Sequence, residues 1–253
     1  MRVKMRKICA YSTNMTHYSP AKLEWRDGQP YASTFQDVYF SSDNGLLETD
    51  YVFLQGNDLP RRWQGLKAPH FTIAETGFGT GLNFLSTVKL WLEIAPATAI
   101  LHYISAEKHP LNLQDLTSSL ALWPTLTEFS QHLLASYEQL MHNHQPLALF
   151  QNRVHLSLLI GDATTQFRQT HHTVDAWFLD GFSPAKNPDM WKIELFQQMA
   201  RLSTIGSTFA TFTSAGQVRR NLAAVGFSTQ KRTGFGKKRE MLQGVMTSQA
   251  NDN

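Results

Sequence analysis

From residue 70 onward, short runs of β-forming apolar residues alternate with stretches of helical period. That rhythm predicts an α/β fold with a parallel sheet covered by helices on both faces. Strands are expected at Phe71–Glu75, Leu101–Glu107, Val154–Ile160, Ala176–Asp180 and Thr208–Thr213. Helices are expected at Gly81–Ile94, around Leu111–Leu122, at Asp189–Leu202 and at Gly216–Val225, the last ended by Gly226 in a position suited to a left-handed residue. Phe227–Thr233 and Glu240–Met246 read as two closing strands joined by a turn over Gly234–Lys238. Residues 123–150, with two prolines and several histidines, break the alternation and are read as a helical insertion.

The first part of the chain lacks this rhythm. Residues 20–64 offer short β-like stretches around Tyr31–Phe40 and a helix from Gly45 to Phe53, punctuated by Asp27-Gly28 and Asn44-Gly45. The expected organisation is an extension over residues 1–69 packed on an α/β domain of residues 70–246, with a polar, frayed tail over 247–253.

Composition narrows the class. The chain has 253 residues, 42% hydrophobic and 17% charged, with six Trp and sixteen Phe, enough to bury a sizeable core and to exclude intrinsic disorder. A formal net charge of +3 is compatible with a polyanionic partner without requiring one. A single cysteine, Cys9, rules out an intrachain disulfide framework and a cysteine-based zinc site. The basic start Met1–Lys7 is followed by no apolar segment of a signal peptide, and no apolar run reaches membrane-spanning length. A reducing cytoplasm is therefore the expected location.

The densest chemistry follows the first strand of the alternation. Glu75-Thr76-Gly77-Phe78-Gly79-Thr80-Gly81 sets three glycines between a strand and an apolar helix, where backbone N–H groups and the helix N-terminus can approach a ligand. A dinucleotide site would place its third glycine one residue later, where Leu82 stands. The acid Glu75 ahead of the loop would repel a pyrophosphate but suit a cofactor carrying an ammonium and a sulfonium. S-adenosylmethionine meets that demand better than NAD, and Asn83 opens the following helix. The second strand ends in Ala106-Glu107-Lys108, where a carboxylate can accept both ribose hydroxyls, 26 residues after Gly81. Asp162, after the third strand, fits either an adenine amino group or a helix cap. The fourth delivers Asp180-Gly181-Phe182-Ser183-Pro184, its acid at the sheet edge where such folds build sites, although a structural turn residue would look the same.

Phe71 to Phe84, Asp180 to Trp191 and Gly234 to Met241 together resemble the methyltransferase domain of the MnmC family, bifunctional proteins of tRNA wobble-uridine modification. Leu23-Glu24-Trp25, Asp37 to Phe40 and Gly45 to Asn57 agree with it, so the resemblance runs from about residue 20 to 246. It implies a Rossmann-like class I methyltransferase fold with a seven-stranded, mostly parallel sheet. It further implies methyl transfer from S-adenosylmethionine to the primary amine of 5-aminomethyl-(2-thio)uridine in tRNA. In that family an FAD-dependent oxidase domain exposes the amine. This sequence ends at Asn253 short of any flavin fingerprint, so a stand-alone form and a domain of a larger protein both fit.

On this reading Glu75, Thr76, Gly77, Phe78, Gly79, Gly81, Asn83, Glu107, Lys108, Asp162 and Asp180 surround the cofactor. Asp180 orients the amine and accepts its proton, while Phe182, with Phe78, lines the transfer channel unless both merely pack. Lys231, Arg232, Lys237, Lys238 and Arg239, with Arg61 and Arg62, are candidates for tRNA phosphates, although charge alone fits a solvated hairpin equally. His142 with His144 and His171 with His172 lack metal-ligand spacing and read as surface or packing residues, so no metal is expected. The rival readings are a small-molecule amine methyltransferase or aminopropyl transferase, a non-catalytic RNA-binding module, and a dinucleotide oxidoreductase.

Overall fold

A computed structural model of the chain describes residues 18–40, 44–142 and 145–248. The expectations for Met1–Lys7, Cys9, His144 and the end of the tail lie outside the described residues.

Leu23–Arg26 (β1) and Gln29–Ala32 (β2) form a hairpin whose turn residues Asp27 and Gly28 have φ of 49° and 75°. Two successive left-handed residues give a two-residue turn the twist its strands need, and Asp-Gly supplies it. Asp37–Val38 (β3) completes a small sheet against β2. Gly45–Thr49 (α1) then starts under Asn44, whose side chain accepts the Leu47 N–H at 3.1 Å. The expected single helix to Phe53 changes spacing at Asp50, becoming a π-helical turn over Asp50–Leu54, and Leu59–Gln64 (α2) follows.

The main sheet comprises His70–Thr76 (β4), Ile100–Glu107 (β5), Leu147–Leu149 (β6), Val154–Ile160 (β7), Val174–Leu179 (β8), Ser203–Thr211 (β9), Phe227–Thr233 (β10) and Glu240–Met246 (β11). Their spatial order is β10-β11-β9-β8-β4-β5-β7-β6. Pairings from β9 to β7 are parallel, and those of β10, β11 and β6 are antiparallel. Seven strands match the expected sheet. The eighth, β6, lies inside the segment read as a helical insertion, and three residues are too few to leave an alternating pattern. Among its described residues are also a 3-10 turn at Pro124–Leu126 and a long helix over Thr127–His142.

The helices are Leu82–Ile94 (α3), Leu113–Leu120 (α4), the long one just given (α5), Ala163–Gln169 (α6), Ile193–Leu202 (α7) and Gly216–Ala224 (α8). Helix α6, given no range from the sequence, is the helix that the capping alternative for Asp162 called for, and the helix expected from Asp189 begins only after a 3-10 turn at Pro188–Trp191. Helices α3, α4 and α5 cover one face, with Phe84, Trp91 and Tyr103 in the core, while α6, α7 and α8 cover the other around Phe167, Trp177 and Phe196. The first segment belongs to the former core. Trp63 meets Trp91 edge-on at 5.1 Å, and Phe53 stacks on Phe178 at 5.1 Å. Because β4 has β5 on one side and β8 on the other, the chain reverses direction across the sheet there, opening a crevice at the strands' carboxyl ends.

Candidate functional site

That crevice is a cavity of 720 Å³. The β4–α3 loop reaches it through Gly77, Phe78 and Gly79. Gly77, at φ 83°, also lies against the loop after β8: a Cβ there would come 3.2 Å from the Cα of Gly181. Glycine at both positions lets the two loops touch backbone to backbone.

Asn83, in the first turn of α3, ties the acids together. Its Nδ2 donates to Glu75 Oε1 at 2.9 Å and to Asp180 Oδ2 at 2.6 Å, while its Oδ1 accepts the Thr49 hydroxyl at 2.7 Å. Glu75 also accepts from Ser105 Oγ at 2.7 Å, and Asp180 Oδ1 accepts the Gly181 N–H at 2.8 Å. Burial pushes the Glu75 carboxyl up to about 8 against these hydrogen bonds, with the charge of Asp180 adding to the rise. Asp180 keeps part of its surface on the cavity, but its carboxyl is deep enough that lost hydration dominates. It is pushed up to about 6, with the Gly181 and Asn83 hydrogen bonds opposing. At neutral pH the negative charge is therefore on Asp180, and Glu75 is a neutral acid behind it. The charge argument made for Glu75 from sequence thus passes to Asp180.

Thr76 and Gly81 also stand behind the wall: the Thr76 hydroxyl donates to the Asp180 carbonyl at 2.8 Å, and Gly81 caps α3 at φ 71°. Glu107 is on the wall, its Oε2 accepting the Gly79 N–H at 2.9 Å and its Oε1 the His109 N–H at 2.7 Å. Each oxygen keeps a lone pair for a further donor. Lys108 lines the cavity beside it. Asp162 lines it too, and it caps α6, accepting the Thr165 N–H at 3.0 Å.

Sequence reasoning missed the roof. Phe182 stacks on Phe35 at 4.4 Å and meets Tyr39 edge-on at 5.7 Å. Lys186 donates to the Gln36 carbonyl at 2.6 Å and pairs with Asp37 at 3.0 Å. On the opposite rim, the Ala21 N–H donates to the Pro110 carbonyl at 3.1 Å. Residues 19–39 thus strap the cavity between the loops after β5 and β8. The β-like stretches and family motifs read there from sequence do not reveal this role, because it arises from packing against residues far along the chain.

The basic residues divide. Lys231 pairs with Glu240 at 2.7 Å, Arg232 lies over the Tyr51 ring at 4.2 Å, and Lys238 pairs with Glu48 at 2.7 Å. Lys237 and Lys238 line the cavity, and Lys237 and Arg239 are exposed. Arg61 pairs with Asp58, while half-buried Arg62 donates to Thr208 Oγ1 at 2.7 Å and the Asp175 carbonyl at 3.0 Å. Arg62 is a brace rather than a phosphate ligand. His172 stacks on His102 at 6.3 Å near the opposite strand ends. Among the described residues, no group of three or more His, Cys, Asp or Glu could hold a metal ion, and no helix is long and apolar enough to cross a membrane.

Residues 124–247 match a family model described as an S-adenosyl-L-methionine-dependent methyltransferase. Over those 124 of its 253 residues the chain is similar to S-adenosyl-L-methionine-dependent methyltransferases. It is 51% identical over 230 residues to the tRNA 5-methylaminomethyl-2-thiouridine biosynthesis bifunctional protein MnmC of Methylobacillus flagellatus, covering 91% of this chain and 36% of that protein. To the protein of the same name from Chromobacterium violaceum it is 53% identical over 231 residues, covering 91% and 35%. The chain therefore spans about a third of the length of the curated relatives it matches. The crystal structure of MNMC2 from Aquifex aeolicus shares its fold, with a TM-score of 0.72 at 20% identity over 94% of this chain and 74% of that one. The resemblance read from three motifs extends through nine-tenths of the sequence.

The cofactor of this methyltransferase family is S-adenosylmethionine, and the cavity fits it. A carboxylate at Asp180 suits a cation, Glu107 has acceptor capacity for hydroxyls, and bare glycine backbone lies between them.

Proposed function

We propose that this methyltransferase acts on the primary amine of 5-aminomethyl-(2-thio)uridine at the tRNA wobble position, giving 5-methylaminomethyl-(2-thio)uridine. The acceptor follows from the relatives, whose names place them in the biosynthesis of that nucleoside. The observation that carries the chemistry is the Asp180 carboxylate, fixed by Asn83 and Gly181 at the cavity wall and ionised at neutral pH.

When bound, S-adenosylmethionine supplies an electrophilic methyl group on a sulfonium. Glu107 and Asp162 would hold its ribose and adenine ends, and the loop Gly77–Gly79 would lie along its length. An alkyl ammonium has no lone pair, so the acceptor must lose a proton before it can attack. Asp180 Oδ2 takes that proton while Asn83 holds the carboxyl in place, and the orientation so fixed supplies much of the acceleration. Phe182, stacked under Phe35, keeps water from the reacting groups. Lys237 and Arg239, exposed beside the cavity mouth, would meet tRNA phosphates. An FAD-dependent oxidase, in the same polypeptide or separate, would supply the aminomethyl group, and a tRNA acceptor suits a cytoplasmic enzyme.

The test is labelled methyl transfer from S-adenosylmethionine into tRNA taken from cells lacking this modification, compared with free amines. Incorporation into tRNA alone is expected. Label entering free amines but not tRNA would overturn the assignment in favour of a small-molecule enzyme.

A further inference from the structure

The cavity contains an ammonium site already occupied by the chain's own lysine. Lys238 Nζ lies 2.7 Å from Glu48 Oε1 and 4.2 Å from the centre of the Phe212 ring, so a carboxylate and an aromatic face enclose one cation. Glu48, Lys238 and Phe212 all line the cavity. The Glu48 side chain is 13% exposed, whereas that of Lys238 is 43% exposed.

The two partners are anchored very differently. Glu48 is on α1, next to Thr49, whose hydroxyl holds the Asn83 amide that in turn holds Asp180. The carboxylate is thus fixed to the same framework as the proton acceptor. Lys238 stands at the β10–β11 turn on a flexible four-carbon stem, and its ammonium can swing into solvent without moving the backbone. Exchanging one ammonium for another keeps Glu48 paired throughout, so the swap costs little.

We propose that Glu48 selects a cationic acceptor: the substrate's ammonium replaces Lys238 between Glu48 and Phe212, and the displaced Lys238 turns outward towards the acceptor's phosphates. This rests on the amine-methylating reading above. The exchange leaves the charges around Asp180 in balance: Lys238 lowers its proton affinity and Glu48 raises it, and the incoming ammonium restores the positive charge that the lysine takes away.

The experiment is calorimetry on the full chain saturated with S-adenosylhomocysteine, titrated with 5-aminomethyluridine and with its neutral isostere 5-hydroxymethyluridine. Wild type should favour the amine. Glu48→Gln should weaken the amine by about tenfold and change the neutral nucleoside by less than about twofold. Lys238→Met, which keeps the stem and removes the competing charge, should tighten the amine by about threefold or more while weakening tRNA. Unaltered S-adenosylhomocysteine affinity in both variants establishes that the site is folded. An unchanged amine-to-neutral ratio in Glu48→Gln, or weaker amine binding in Lys238→Met, overturns the proposal while leaving amine methylation standing. If wild type neither binds the aminomethyl nucleoside nor methylates tRNA carrying it, the amine-methylating reading itself fails and this selection falls with it.

Discussion

Thr49 donates its hydroxyl to Asn83 Oδ1 at 2.7 Å, and both side chains are buried. That bond satisfies the oxygen of the amide whose Nδ2 faces the two acids; a reversed amide would set its oxygen against Asp180. Thr49→Val preserves shape and removes the donor. An amide oxygen left buried without a donor costs about 1–3 kcal/mol. The expected result is a lower thermal midpoint and a loss of turnover larger than any loss of cofactor affinity. Turnover equal to wild type would mean the carboxyls alone orient Asn83.

Asp180, pushed up to about 6, is ionised above that pH and protonated below it. kcat/KM should therefore rise as pH climbs through about 6. Asp180→Asn should lower methyl transfer by about 10²–10⁴-fold and, because it removes the carboxylate that suits the cofactor's cation, should also weaken S-adenosylmethionine in calorimetry. An acid limb that survives in Asp180→Asn would belong to another group.

Glu75 should make stability pH-dependent. Its carboxyl is pushed up to about 8 from 4.5, so the unfolded chain loses a proton that the folded chain retains between those values. Stability from this group is fully present below about 4.5, falls by about 1 kcal/mol per pH unit as pH rises, and is flat again above the folded value. Glu75→Gln is neutral throughout and should gain on wild type between about pH 5 and pH 8 in urea denaturation. An equal difference at both pH values would mean that Glu75 is ionised in the folded protein.

Glu107→Ala removes the acceptor of the Gly79 and His109 N–H groups as well as a ligand for hydroxyls. Cofactor affinity should fall by about tenfold or more. Unchanged affinity would leave Glu107 only a loop-holding role.

Among the cations, Lys237→Gln with Arg239→Gln should flatten the salt dependence of tRNA binding by about one to two log units per decade of salt without changing the thermal midpoint. Arg62→Ala should instead destabilise the fold by about 3 kcal/mol, since it strips bonds from Thr208 and the Asp175 carbonyl. A midpoint unchanged in Arg62→Ala would return that residue to the surface.

The legible parts of this molecule are those whose cause is local. Glu107 ends a strand, Gly77 to Gly81 and Asp180 directly follow one, and both closing strands fall where alternation and the turn between them place them. Glu48, Thr49, Phe35 and Tyr39 carry no such mark. Their meaning comes from Lys238, Asn83 and Phe182, far along the chain, and short helices and a two-residue strand hold no period. Arg62 misled for a related reason: its charge reads as surface, but Phe71 and the start of β8 cover it. Glu75 was conspicuous as an acid, yet burial leaves it uncharged.

The strap over residues 19–39 and the short helix that follows have a consequence for dissection of the protein. A fragment beginning at residue 70 would retain every strand of the main sheet and the whole glycine loop. It would lose the roof of the cavity, the residue that orients Asn83, and the tryptophan that abuts Trp91. A cut drawn where the recognisable nucleotide fold begins therefore passes through the proposed reaction centre. The smallest piece expected to turn over is larger than that nucleotide fold.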